Sequence, residues 1–538
     1  TAPGLLNSSG AVIITNDSDP ISALQAAMDA WTNVASSSAA FVAPGRTPGG
    51  AAGLDREHVI VFNDTPEHRS AVGDAIAVTL QRFNGATGDF VDTDIVFSPS
   101  LTYSTTLQAG TYDIQTVALH ELGHALGSSH SGLLSASMYA RTRSGTNIQG
   151  QLTADDIAFV IDAYPEPDSA GSFGAITGTV TLTSGGGVNG ALITAVDSST
   201  GVAVGSLTFG DGSFTVSRIP PGRYFVYAEP MDGPVITSDI GSLGAGANTQ
   251  FLTAVLGGVA SPQAVVVIAG NASTASLTVE GGSPPLNIQG AGSGPPGASI
   301  SLAGGAFAVR SGPAMTVAAF GNGLDDPSIT ESTISFLGAP ITVQAGSLRR
   351  GRTTSGAPSL SFLVTVASNA PAGVATLVVS SSTASVVFSA GAKIQSGPPS
   401  FSAAGVVSAA SYATGAAAPG EIVSIFGTGL GPAIGATGGF DANGRLTTSL
   451  ADVTVTFNNV RAPLFFARAD QINAQVPFDV AGQTGANVVV SYLLVSSPVI
   501  NVPLAAARPG VFVWPDGSNR GLILNQATNL NDANNRAP

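Results

Sequence analysis

Apolar positions in the first third of the chain switch between helical and strand spacing, and each switch marks an element. Ala11-Val12-Ile13-Ile14-Thr15 is a short apolar run that predicts a strand. Asp19-Pro20 then offers a cap and a first-turn proline, and Ile21, Leu24, Met28, Trp31 and Val34 follow at three- and four-residue spacing, predicting a helix with one face turned to a core. Strands are expected at residues 40–42 and over His58–Phe62. Ala75–Phe83 and Phe90–Phe97 alternate in part and are joined by Asn84-Gly85-Ala86-Thr87-Gly88-Asp89, which reads as a hairpin. A second helix is predicted from about Thr111–Asp113 to Leu126, with Ile114, Val117, Ala118, Leu122 and Ala125 on its buried side. Thr153 followed by Asp156 resembles a capping box with Asp in place of Glu, so a third helix is expected from Ala154 to Tyr164, closed by Pro165-Glu166-Pro167.

The second helix carries the chemistry. Residues four apart share a helix face, so His120 and His124 can present imidazoles to one ion. Glu121 projects beside them, placed to act on the attacking water rather than to bind the metal. Gly127 can adopt the left-handed conformation that ends a helix and return His130 as a third ligand. Three protein ligands with one open position is the arrangement of a catalytic zinc, whereas structural zinc sites are closed by four. A bare HExxH also occurs by chance, but three of the five histidines fall within His120–His130. His58 and His68 stand apart and are read as structural or exposed.

The full motif, His120-Glu121-Leu122-Gly123-His124 through Gly127 to His130, resembles the metzincin signature. Ser131 after the last histidine, Ser137-Met138-Tyr139, and Leu152–Tyr164 narrow the resemblance to matrixins, the matrix-metalloproteinase family. That resemblance implies Met138 as the floor of the site and Tyr139 near the substrate pocket. It also implies that Ala77, Val78 and Thr79 lie on an edge strand to which an extended polypeptide can add itself. Animal matrixins hold a further structural zinc and calcium, but Val96 stands where a zinc-binding histidine is expected, so the structural zinc is not carried over. Asp89, Asp92 and Asp94 are candidate calcium ligands, against the simpler reading of a solvated turn. Arg141-Thr142-Arg143 is read as a solvated loop.

Composition bounds the rest. A length of 538 residues predicts about three or four domains, and 67 Gly, 33 Pro and 10% charged residues favour a turn-rich β array. A net charge of −15, with Lys393 the one lysine, argues against nucleic acid or an anionic membrane surface as partner. No apolar run reaches the roughly 18–20 residues needed to span a bilayer. Zero Cys excludes disulfides and the cysteine that keeps many matrixin proenzymes latent. The opening Thr1-Ala2-Pro3, without Met or signal peptide, suggests a trimmed secreted precursor.

Beyond Pro167 no further histidine occurs. Ile176–Val180, Gly190–Val196, Gly210–Val216 and Ile219–Val226 are successive strand-turn units that resemble a carboxypeptidase-regulatory-like sandwich over 168–230. Residues 231–300 read as a Gly/Ala/Pro-rich connector or an additional β module. Met315–Leu324 repeats as Glu421–Leu430, each ending in Phe-Gly-x-Gly-Leu, which resembles IPT/TIG-type immunoglobulin-like sandwiches over 301–396 and 397–538. The second copy resembles a C-terminal module of secreted acidobacterial proteins, and Asn525–Pro538 resembles its middle, which leaves open that the chain is a fragment.

The expected architecture is an α+β metzincin domain over 1–167, with a twisted mixed sheet and three helices, followed by all-β sandwiches. The expected function is a secreted, bacterial zinc endopeptidase acting on extended polypeptides, with one catalytic zinc on His120, His124 and His130 and Glu121 as general base. The rival is a surface adhesion or polymer-binding protein whose protease-like domain is vestigial, with the β modules contacting an extracellular polymer or cell surface. Carbohydrate binding by those modules lacks an aromatic platform, the tryptophans being Trp31 and Trp514.

Overall fold

Asp19 accepts a hydrogen bond from the Ser22 N–H and so starts α1 (Pro20–Thr32), whose Leu24, Met28 and Trp31 are buried while Ile21 faces solvent. The computed structural model describes residues 2–512 apart from 17, 43–44, 46–51, 54, 109, 168, 313, 368–369, 396–397, 432–435, 439–444, 451–452, 469 and 493–494. Trp514 and Asn525–Pro538 therefore lie outside the described residues. Among those described, no helix is long and apolar enough to cross a membrane.

In the N-terminal region β1 (Ile60–Val61) pairs in parallel with β3 (Phe90–Phe97), which pairs antiparallel with β2 (Ala77–Phe83), giving the order β1-β3-β2 with β2 at the edge. The hairpin read from alternation is present, in the register Ala77 to Phe97. Ala11–Thr15 makes only isolated bridges, Leu6 to Val12 and Ile14 to Tyr103, although Ile13 and Ile14 are fully buried. Residues 40–42 form no strand. A short helix that periodicity missed, α2 (Pro66–Val72), starts where the Thr65 hydroxyl accepts from the His68 N–H and Pro66 fills the first turn. The active-site helix α3 (Ile114–Ala125) is capped by Asp113, and α4 (Ala154–Ala163) follows Thr153. α1 crosses α3, and the buried Trp31 indole N–H donates to Leu119 O at 2.9 Å, meeting the requirement that a buried polar tip find a partner.

The molecule divides into two units, Thr1–Ser396 and Gly397–Pro538. Within the first, α4 packs on a sandwich: Ala158 joins its core, and Arg218 pairs with Asp162 at 2.9 Å. One sheet centres on Gly174–Leu182, flanked by Ser213–Ile219 and by the parallel segments Ala272–Thr274 and Leu277–Val279. The other runs Ala254–Val255, Gly222–Glu229, Leu192–Asp197, Ala203–Leu207, with Ala264–Val267 also on Gly222–Glu229. The 231–300 stretch is thus divided. Its strands up to Val279 complete this first sandwich, whereas Gly290–Gly294 pairs with Met315–Phe320 in the next.

The 131–150 loop is not the solvated loop expected from its arginines. Leu133 and Ala136 are buried among residues of both sandwiches, Val196, Tyr227 and Val378 included. Arg141 donates to Pro234 O at 2.9 Å and Arg143 to Ala306 O at 2.7 Å. A planar guanidinium with several donors satisfies carbonyls that the packing of the sandwiches would otherwise bury unpaired.

The same junction holds a buried carboxyl. Tyr227 OH donates to Ser389 Oγ at 3.0 Å, and Ser389 Oγ in turn donates to Glu229 Oε1. Burial pushes the Glu229 carboxyl from 4.5 up to about 8. Between these values the folded chain binds the extra proton, so stability is full below the lower value and is lost as pH rises through the upper one. Glu229→Gln should remove a slope of up to about 1.4 kcal/mol per pH unit. Denaturant unfolding across that interval checks this, and an unchanged slope in the variant would refute it.

In the second unit, two sheets run Ser400–Ser408, Ile422–Thr428, Gln471–Gln475, Leu464–Ala467, Ala436–Thr437 and Val460–Arg461, Val453–Phe457, Gly485–Tyr492, Val495–Ser496, with Ile500–Pro503 also on Gly485–Tyr492. The repeated phrases occupy matching places. Met315–Phe320 and Ile422–Thr428 are each second in their sheet, between an earlier strand and a later one. Gly323 and Gly429 both have positive φ, 71° and 64°, and Leu324 and Leu430 then drop fully into their cores. The chain is therefore, over its described residues, an α+β N-terminal region followed by all-β two-sheet sandwiches.

Candidate metal centre

The site is built on α3 and the turn that ends it. Asp113 Oδ2 accepts from the Thr116 N–H and hydroxyl at 2.8 and 2.7 Å, fixing the helix start, and burial pushes its carboxyl up to about 6. At the other end Gly127 takes φ +93°, its N–H donates to His124 O at 2.8 Å, and the Ser128 N–H donates to Gly123 O at 3.0 Å. This crossed pair of bonds satisfies the last carbonyls and reverses the chain toward His130.

His120, His124 and His130 converge, each offering a ring nitrogen within 4.8 Å of the others. The Nδ1 atoms are engaged: His120 with Ser137 O at 2.7 Å, His124 with Ser128 O at 2.8 Å, and His130 with Asp239 O at 2.5 Å. A carbonyl only accepts, so each Nδ1 carries the hydrogen and each Nε2 keeps its lone pair. Burial pushes His120 and His124 down to about 4, keeping both neutral at neutral pH. Three imidazoles whose Nδ1 atoms are engaged by carbonyls are a donor set that suits zinc through Nε2 and leave room for a fourth ligand. Among the described residues no other group of three or more His, Asp or Glu is disposed to hold an ion.

Glu121 is 4% exposed, and burial is the main cause raising its carboxyl above the usual range. The Thr79 hydroxyl holds it, 2.7 Å from Oε2. β2 touches the helix again through Gln81, whose amide donates to His124 O at 2.5 Å. Of the residues expected to line a substrate pocket, Ala77 is buried, Val78 and Thr79 are half-buried, and all three lie on the edge strand.

Met138 is buried under α3, where a Cβ on Gly123 would come within 2.2 Å of its Sδ. The turn carrying it is held by Asp156, which accepts from the Ser137 N–H at 3.0 Å, the Met138 N–H at 3.1 Å and the Thr153 N–H at 2.7 Å. Sequence reasoning assigned Asp156 only to a helix cap and missed this second hold. Tyr139 is buried in a core shared with the sandwiches, its OH donating to Gly304 O at 3.0 Å, and burial pushes its phenol up to about 12.

Asp92 and Asp94 do not form a solvated turn. Both are buried on β3 and anchor the preceding loop, Asp94 accepting from the Gly53 and Val59 N–H groups at 2.8 and 3.1 Å, and Asp92 from those of Asp55 and Arg56 at 3.0 and 3.2 Å. Asp89 is exposed on the hairpin turn. His68 is buried, with Nδ1 donating to Asn63 O at 2.9 Å, and His58 Nδ1 lies 3.1 Å from the Thr93 N–H.

Residues 20–165 match the matrixin peptidase family model. The match supports a zinc metallopeptidase in general, and the histidine group is compatible with it. No curated protein matches the chain. Similar solved structures include a three-immunoglobulin-domain titin fragment, I67–I69 (10% identity, 62% of this chain and 97% of that one, TM-score 0.17). BcpA, the major pilin subunit of Bacillus cereus, matches at 9% identity over 65% of this chain and 91% of its own, with TM-score 0.15. SGBP-B of the Bacteroides ovatus mixed-linkage glucan utilization locus, in complex with a heptasaccharide, matches at 14% identity over 62% and 68%, with TM-score 0.15. Superpositions this poor bear on neither fold nor function.

Proposed function

We propose that the chain is a secreted zinc-dependent endopeptidase that hydrolyses peptide bonds in extended polypeptides, its reaction carried by α3 and the turn after it. The observation that carries this reading is the convergence of three imidazoles, each with Nδ1 bonded to a carbonyl, beside a carboxylate held by Thr79. His120, His124 and His130 would hold the zinc, which when bound polarises the scissile carbonyl and acidifies water.

The chain's own groups do the rest. Glu121 takes the proton of the attacking water and delivers it to the leaving amine, and the Thr79 hydroxyl keeps the carboxylate aimed during both transfers. β2, unpaired on its outer side among the described strands, offers backbone groups to an extended substrate near Ala77–Thr79. A folded substrate segment could not add a strand there, which is why the substrate class is an extended polypeptide. The two sandwiches of the first unit hold the 131–150 loop.

The reading is tested with the full chain and an unstructured protein such as casein. Removing zinc by chelation should abolish cleavage, and one equivalent of zinc should restore it. Cleavage that survives complete metal removal would reject the proposal, and a chain that binds zinc yet cleaves nothing would favour the vestigial alternative.

A further inference from the structure

The third imidazole differs from the other two in the source of its support. Ser137 and Ser128, which hold His120 and His124, lie within the N-terminal region. The carbonyl that holds His130 comes from Asp239, 109 residues further on, in the 3-10 segment Thr237–Gly244 that follows the sandwich strand Gly222–Glu229. That residue is itself fastened twice. Its Oδ2 accepts from the Ile236 N–H at 3.0 Å, closing the turn, and its Oδ1 accepts from Arg141 Nη2 at 2.7 Å. Arg141 also donates to Pro234 O at 2.9 Å, so one guanidinium grips both the segment and the chain leading into it. The Asp239 side chain is 10% exposed and that of Arg141 47%.

We propose that the Thr237–Gly244 segment is part of the metal centre: Asp239 is a positioning residue whose main-chain carbonyl orients His130, and Arg141 holds Asp239 in place to do so. The inference rests on the reading of the triad as a zinc site. An imidazole ligand is fixed in tautomer and ring orientation by the bond its other nitrogen makes, and losing that partner typically costs about 10–100-fold in metal affinity. Ser128 and Ser137 are brought to their imidazoles by turns close in sequence. Asp239 reaches His130 only when the sandwich is docked. Zinc binding and docking of the sandwich therefore favour each other, and by linkage the coupling runs equally in both directions.

A substitution at 239 leaves a carbonyl in the chain but removes both carboxylate holds, so the turn no longer presents that carbonyl to the ring. In the full chain, Asp239→Ala should weaken zinc binding about 10–100-fold, read by competition with a chromophoric chelator. The visible absorption of the cobalt-substituted protein should change with it. Arg141→Ala removes one hold from a half-exposed side chain and should weaken zinc in the same direction by less, which supplies a second reading should Asp239→Ala fail to fold. Arg218→Ala, which cuts the half-exposed Asp162 pair between α4 and the sandwich away from His130, leaves the Asp239 turn intact and should weaken zinc by much less than either variant. Wild-type affinity in both Asp239→Ala and Arg141→Ala, or an equal loss in Arg218→Ala, would overturn the inference alone. A wild-type chain that takes up no stoichiometric zinc would instead overturn the reading of the triad, and this inference with it.

Discussion

Glu121→Gln is expected to lower peptide-bond cleavage by about 10²–10⁴-fold while the chain still takes up one zinc. The substitution keeps the shape of the side chain and its ability to accept from the Thr79 hydroxyl, 2.7 Å from Oε2. It removes the one property the reaction needs, a group that can receive a proton from water and release it to an amine. The buried surroundings sharpen the effect. Glu121 is 4% exposed, so bulk water has little access to stand in as base. None of the three imidazoles can substitute, because each Nδ1 is already bonded to a carbonyl and each Nε2 would be taken by the zinc. Zinc content by elemental analysis, set beside initial cleavage rates of casein, decides the matter. A variant that retains zinc and full activity removes Glu121 from its assigned role.

Asp156→Ala is expected to be the most damaging change outside the triad, destabilising the first unit by at least about 3 kcal/mol. The carboxylate is 1% exposed and accepts from three backbone N–H groups, those of Ser137, Met138 and Thr153, and from the Thr153 hydroxyl. Alanine leaves two buried donors and one half-buried donor unmet, at about 1–3 kcal/mol for each buried one before relaxation. Asparagine does not rescue them, because donors reach both carboxylate oxygens and an amide nitrogen at either position would face an N–H. The damage spreads to the metal centre through Ser137, whose carbonyl accepts from His120 Nδ1 at 2.7 Å. Zinc affinity should therefore fall alongside stability. Denaturant unfolding of the metal-free chain and chelator competition measure the two effects separately, and a loss well under about 1 kcal/mol with wild-type affinity would contradict the assigned hold.

What the sequence by itself determined was local. Cap residues, helical spacing and a glycine at the helix end are short-range physics, so α1, α3, α4, the β2–β3 hairpin and the turn to His130 could be read from adjacent residues. The histidine group was legible for the same reason, since side chains of distinctive type sit at fixed offsets on one helix and its following turn. The Phe-Gly-x-Gly-Leu phrase was legible because its second glycine meets a left-handed turn and its leucine fills a core in both copies. Ala11–Thr15 was misread as a strand because burial alone makes a run apolar, and pairing has to be supplied by a partner elsewhere in the chain.

The tertiary structure decided the rest. Which carbonyls hold the imidazoles could not be read from residue types, because every residue has one and only the fold brings Asp239 to His130. Asp92 and Asp94 look like hairpin-turn acids in the sequence and become buried anchors because distant backbone N–H groups are folded against them. Arg141 and Arg143 look solvated until the sandwiches present their carbonyls. Short-range order follows from spacing along the chain, whereas the support of the site depends on backbone groups far apart in sequence, and these acquire meaning only once packing has made them neighbours.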